Sequence, residues 1–222
     1  MPNATNSHLE SLPSLFERES QNSFTDRPFS KVNKFYLSGE LKNPEEYIQW
    51  FEHIRNASEN DIIVIHINSE GGNLFTAIQF LRVMKETKAL TIASVEGMCM
   101  SAATLIFLSA MSHEITDHSV FLFHNFSTMM MGKGHELYDL ATHSRTWSSD
   151  LLKDVYKNFL TAEEISSVLD GKDLYMTSQT VVERMKSRQI QLQESMKKPL
   201  ETVIPKIQVV KTHASNKKKR SK

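Results

Sequence analysis

Apolar residues in this chain follow two rhythms, short unbroken runs and stripes spaced by three or four. The run Ile62-Ile63-Val64-Ile65-His66-Ile67 is almost wholly β-branched. Such a run suits a strand buried on both faces, as in a parallel sheet covered by helices. It ends in Asn68-Ser69-Glu70-Gly71-Gly72-Asn73, after which Leu74, Ile78, Leu81 and Met84 fall on one helical face. Leu90 to Val95 reads as a second buried strand that Gly97 is expected to break. Ser101 to Leu108 then reads as a buried helix. Strand, loop and helix repeated twice is the grammar of an α/β fold with right-handed crossovers.

The same reading extends outward from this centre. Phe35-Tyr36-Leu37 predicts a short strand ending at Ser38-Gly39. Asn43-Pro44-Glu45-Glu46 predicts a helix start with Asn43 as N-cap, and Tyr47, Ile48, Phe51 and Ile54 supply its apolar face. Val120-Phe121-Leu122-Phe123 forms a further strand within Ser119 to Asn125. A methionine-rich loop, Met129 to Gly134, leads to a long helix over about 135–160. Two shorter helices are expected, one after Thr161 and one after Thr177.

The two ends differ in character from this middle. Residues 1–30 are rich in Ser, Asn and Pro with isolated apolar residues, and read as a flexible arm. From Lys186 to Lys222 there are eleven Lys or Arg against two Glu, closing in Lys217-Lys218-Lys219-Arg220. That tail reads as disordered. The expected organisation is therefore an arm over 1–30, one folded domain over 31–189 and a basic tail over 190–222. The whole chain of 222 residues balances 26 basic against 26 acidic side chains. Such a balance argues against a dedicated nucleic-acid-binding module, leaving the basic tail as the only candidate contact with nucleic acid.

Cys99 stands alone, which leaves no intramolecular disulfide and fits a reducing compartment. The longest stretch without a charged side chain, Gly97 to His113, has 17 residues and several polar ones, so no membrane span is expected. The first residues lack a basic start followed by an apolar core, so no secretory signal is expected. A soluble, cytoplasmic protein is the resulting expectation.

Four places carry candidate chemistry, each with a plainer alternative. Ser101 lies where a buried strand hands over to an apolar helix, so it is either an N-cap or a nucleophile at a helix N-terminus. Gly71-Gly72 is either a simple turn or a place where backbone N–H groups meet a ligand closely. His124 ends an apolar strand, as a general base or as a core histidine with a satisfied hydrogen bond. Asp173 sits in a short polar loop, where most aspartates make turns or caps. No Cys/His cluster has metal-binding spacing, and neither a metal nor an organic cofactor is expected.

Taken together these segments resemble the proteolytic subunit of the Clp protease over residues 35–185. Asn68-Ser69-Glu70-Gly71-Gly72 is similar to that family's Asn-Ser-Pro-Gly-Gly, with Glu70 in place of proline. Gly97-Met98-Cys99-Met100-Ser101-Ala102-Ala103 is similar to Gly-x-Ala-Ala-Ser-Met-Gly, and the 29-residue interval from Gly72 to Ser101 fits without a gap. Val120 to Asn125 resembles the strand ending in His-Gln-Pro. Lys172 to Ser178 resembles Arg-Asp-x-Phe-Met-Ser-Ala. Ser-Met-Gly has become Ser101-Ala102-Ala103, and Met185-Lys186-Ser187-Arg188 replaces the family's Gly-Leu-x-Asp.

The resemblance implies an α/β fold of repeated β-β-α units, shared by ClpP and crotonase proteins, with a protruding handle helix. It implies Ser101 as nucleophile, His124 as base, Asp173 as its orienting acid, and the N–H groups of Gly72 and Ala102 as oxyanion hole. It implies a serine endopeptidase that cleaves unfolded polypeptides inside stacked heptameric rings, fed by an AAA+ unfoldase. Two other readings stay open: a phage-type capsid-maturation protease of the same fold working without an ATPase, and a catalytically silent ring scaffold. The crotonase fold's acyl-CoA chemistry has no need for this triad.

Overall fold

The computed structural model describes residues 30–127 and 131–197. The arm over 1–30, but for its last residue, the tail beyond 197 and Met129 and Met130 of the methionine-rich loop lie outside the described residues. Six strands form one sheet: β1 (Val32–Leu41), β2 (Ile62–Gly72), β3 (Leu90–Met100), β4 (Ser112–Ile115), β5 (Val120–Phe123) and β6 (Leu174–Thr177). Their path is β1-β2-β3-β5-β6, and β4 also pairs with β3. All neighbours run parallel except β5 and β6. Long β3 serves two partners on one edge, β4 along Ile92–Val95 and β5 along Met98–Met100.

Among the described residues six α-helices complete the fold: α1 (Ile48–Asn56), α2 (Leu74–Glu86), α3 (Ala102–Ser109), α4 (Gly134–Tyr156), α5 (Ala162–Leu169) and α6 (Ser178–Lys197). Alternate side chains of the central strands, including Leu37, Ile63, Ile65, Ile67, Ala93, Val95, Phe121 and Phe123, join Phe51, Phe80, Phe107 and Tyr156 in one core. On the other face of the sheet Tyr36, Met98, Val120 and Tyr175 stand exposed. This is the mixed α/β architecture that the sequence reading expects.

Several expectations change. Gly97 does not break β3, which continues to Met100. A Cβ there would stand 2.6 Å from the Asn68 side-chain oxygen. That oxygen accepts the Met98 N–H at 3.1 Å, where the β2–β3 register slips between Ile67 and Ser69. Gly97 thus makes room for a side chain that stands in for a ladder partner. β1 is likewise longer than Phe35–Leu37 because it follows β2 along most of its length.

Asn43 precedes a 3-10 turn, Pro44–Tyr47, rather than an α-helix, and makes no side-chain cap; its carboxamide oxygen accepts from Asn73 instead. Two strands, β4 and β6, were not expected. The helix after Thr177 is not short but 20 residues long, ending at Lys197.

Candidate active site

Ser101 links β3 to α3 with φ 55° and ψ −127°, a backbone conformation that L-residues rarely adopt. Such a residue stores about 1–3 kcal/mol and persists only where its surroundings fix it. Here the Ser101 N–H donates to the Leu122 carbonyl at 2.9 Å. Its own carbonyl accepts from the Thr104 N–H at 2.9 Å and the Thr104 hydroxyl at 2.7 Å. The Ser101 side chain makes no cap hydrogen bond, so the plain N-cap reading does not describe it. Ala102 is the first residue of α3, and its N–H belongs to the turn whose donors have no partner within the helix.

The glycines of β2 meet this turn at close range. A Cβ on Gly71 would lie 2.6 Å from the Met100 carbonyl, 2.7 Å from Ser101 Cβ and 3.0 Å from the Ala102 nitrogen. Its φ of +92° also favours glycine. Gly72, at φ +140°, is pressed against β1, where a Cβ would stand 2.4 Å from the Leu41 carbonyl. Fully buried Ser69 fixes the pair: its hydroxyl donates to the Gly39 carbonyl at 2.6 Å and accepts the Gly71 N–H at 3.1 Å. Sequence reasoning singled out Gly72 for its N–H. It missed Gly71 as the residue that lets the serine turn approach.

His124 follows β5 and Asp173 precedes β6. The antiparallel register pairs Phe123 with Leu174, so the next positions along the ladder are His124 and Asp173 themselves. Nδ1 of His124 lies 3.7 Å from Oδ1 of Asp173, an ion-pair separation rather than a hydrogen bond. The carboxylate is half exposed, and buried Nε2 of the imidazole has no hydrogen-bond partner among the described residues. Asn125 ties this segment to α5 by donating to the Leu169 carbonyl at 3.1 Å.

Ser101, Ala102, Gly72 and His124 all line one cleft of about 640 Å³. Its apolar wall includes Leu105, Phe126 and Leu152, and Phe75 stacks on Trp147 across it at 5.5 Å. Glu70, which stands in the place of a proline, lies on its rim. Cys99 is fully buried beneath the site, and burial holds its thiol pKa well above the ordinary value, which leaves it inert as a nucleophile. Among the described residues no group of three or more His, Cys, Asp or Glu could hold a metal ion, and no helix is long and apolar enough to cross a membrane.

Comparison with known proteins places this geometry in context. The model of the Clp protease family matches residues 42–184. Among solved structures, a ClpP1 mutant from Listeria monocytogenes is similar in fold with a TM-score of 0.57. The two share 18% sequence identity over 68% of this chain and 86% of the other. No curated protein matches.

Proposed function

This chain belongs to the Clp protease family and is a ClpP-like peptidase, and we propose that Ser101, His124 and Asp173 carry its serine endopeptidase chemistry. One observation supports this most: a serine strained at a strand-to-helix turn opens into the same cleft as a histidine whose ladder neighbour is an aspartate. A core histidine with satisfied hydrogen bonds would not leave Nε2 unpartnered. The hydroxyl of a mere cap would bond to its helix.

In the proposed reaction Ser101 Oγ attacks the peptide carbonyl while Nε2 of His124 takes its proton. Asp173 orients the imidazole and stabilises the imidazolium. The amine leaves with the proton from His124, and water repeats the sequence on the acyl-enzyme. The N–H groups of Gly72 and Ala102 receive the oxyanion, and losing one such donor typically lowers the rate about 10²–10³-fold. For this chemistry the His124–Asp173 pair must close by about 1 Å to reach hydrogen-bond length, and Nε2 must gain the Ser101 hydroxyl, with which it makes no hydrogen bond here; free sites commonly tighten in this way on binding substrate.

The proposal extends to assembly and partner: polypeptide substrates, cleaved inside stacked heptameric rings of this chain and delivered by an AAA+ unfoldase. The exposed Tyr36, Met98, Val120 and Tyr175 on the open face of the sheet support burial of that face in an assembly. Cleavage of a fluorogenic peptide by the wild type and by Ser101→Ala, with native mass determination of both, tests the reading. Turnover that vanishes in the variant while the assembly stays the same supports it. Retained turnover overturns it.

A further inference from the structure

A second cavity, of about 430 Å³, lies between the α3–β4 turn and α6, and the proposed peptidase chemistry makes no use of it. We propose that it binds a small carboxylate carried on an apolar body, such as the free C-terminus of a short apolar peptide or a medium-chain fatty acid.

The carboxylate is called for by Arg188. This half-buried guanidinium has five N–H donors, yet among the described residues it reaches only the Leu108 carbonyl, at 3.4 and 3.5 Å, the outer limit of a hydrogen bond. Its Nε is buried with no partner among the described residues. Among the described residues no carboxylate pairs with it, and burial alone holds its pKa below the ordinary guanidinium value. The carbonyl end of α3, where Leu108 sits, supplies only about half a negative charge. Lys186 brings a second cation to the same cavity.

His113, also on the lining, stays neutral near pH 7, since burial lowers its pKa to about 4 and its ring nitrogen is engaged with the Phe107 carbonyl at 2.9 Å. The cavity therefore holds a net positive charge with nothing in the described chain to balance it. A buried charge without a partner is unfavourable, and an incoming anion relieves it.

The apolar body is called for by the walls. Met111, Ile115, Val182 and Met185 line much of the remainder, with Ser112 and Gln189 beside them, so a bare phosphate would leave most of the cavity unfilled. The volume lies within the ~300–1,000 Å³ typical of small-ligand sites. A guanidinium fork matches a carboxylate with two parallel hydrogen bonds.

Calorimetric titration of the full-length wild type with acetyl-valyl-leucine as free acid and as amide, and with octanoate and octanamide, tests the site. A charge-assisted bidentate pair contributes roughly 1.5–3 kcal/mol, so each acid should bind about tenfold or more tightly than its amide. Arg188→Gln should weaken the acids by at least about tenfold and leave fluorogenic-peptide cleavage unchanged. Binding by the peptide acid alone or by octanoate alone identifies the source of the carboxylate. The proposal is overturned if acids and amides bind the wild type alike, a comparison that needs no folded variant. It is equally overturned if Arg188→Gln leaves affinity unchanged, or if neither acid binds.

Discussion

The Tyr156 hydroxyl, at the end of α4, lies 2.8 Å from the hydroxyl of Thr104 in α3. Because the Thr104 hydroxyl donates to the Ser101 carbonyl, the Tyr156 phenol must be the donor between them. The long helix is thereby connected, through two buried hydroxyls, to the strained serine. Burial raises the Tyr156 pKa, so the phenol keeps its proton throughout the working range.

Tyr156→Phe should remove this donor without opening a cavity. A buried hydrogen bond of this kind contributes about 1–2 kcal/mol, which thermal denaturation should read as a small fall in Tm. Peptide cleavage should fall chiefly in kcat, with KM little changed, since the variant loosens the serine turn and leaves the cleft walls in place. An unchanged kcat would show that Thr104 alone fixes the turn.

Gly71→Ala should damage both stability and activity. The added methyl meets backbone at 2.6 Å and Ser101 Cβ at 2.7 Å, with φ in the region that favours glycine. Neither neighbour can move without moving the turn, so a loss of about 2–4 kcal/mol is expected. Chemical denaturation measures the stability, and a fluorogenic peptide the activity. A folded, fully active Gly71→Ala would contradict the close approach.

Asp173→Asn should keep the fold and the cleft but lower kcat by about 10²–10⁴-fold, as expected when the group that sets a catalytic imidazole's tautomer is neutralised. Heat stability should change little, because the carboxylate is half exposed and its separation from His124 is 3.7 Å. Denaturation and steady-state kinetics on one preparation separate the two effects.

Stability should fall on mild acidification through His113. Its folded-state pKa is about 4 against about 6.5 in the unfolded chain, so between these values the unfolded state binds the extra proton. Stability is thus full above about pH 6.5 and declines as pH drops toward 4, by up to about 3 kcal/mol in all. Equilibrium unfolding from pH 7.5 to 4.5 should slope more steeply in the wild type than in His113→Gln. Parallel curves would sink this account.

The centre of the fold is legible in the sequence because each β-branched run is long enough to be a strand and each following apolar stripe has helical spacing. Ser101 and His124 could be named because each sits at the end of such an element and resembles a known motif there, whereas Asp173, in a short polar loop, could be named from its resemblance to a motif alone. What escaped depends on partners distant in sequence. β4 is four residues long and exists through its pairing with Ile92–Val95. β6 is visible only once β5 is beside it. Gly97 looks like a strand breaker until Asn68 occupies the space beside it. Gly71 and Tyr156 act on the serine across the packed core, a relationship that no local spacing encodes.

The most direct measurement of the central claim is mass-spectrometric mapping of the adduct formed by a fluorophosphonate on the folded wild-type protein. A single adduct on Ser101, absent from both Ser101→Ala and wild type pre-treated with a peptide chloromethyl ketone, is the predicted result. An adduct on another serine, or labelling that persists in Ser101→Ala, would contradict Ser101 as the nucleophile. A folded protein that takes up no label would contradict the catalytic reading altogether.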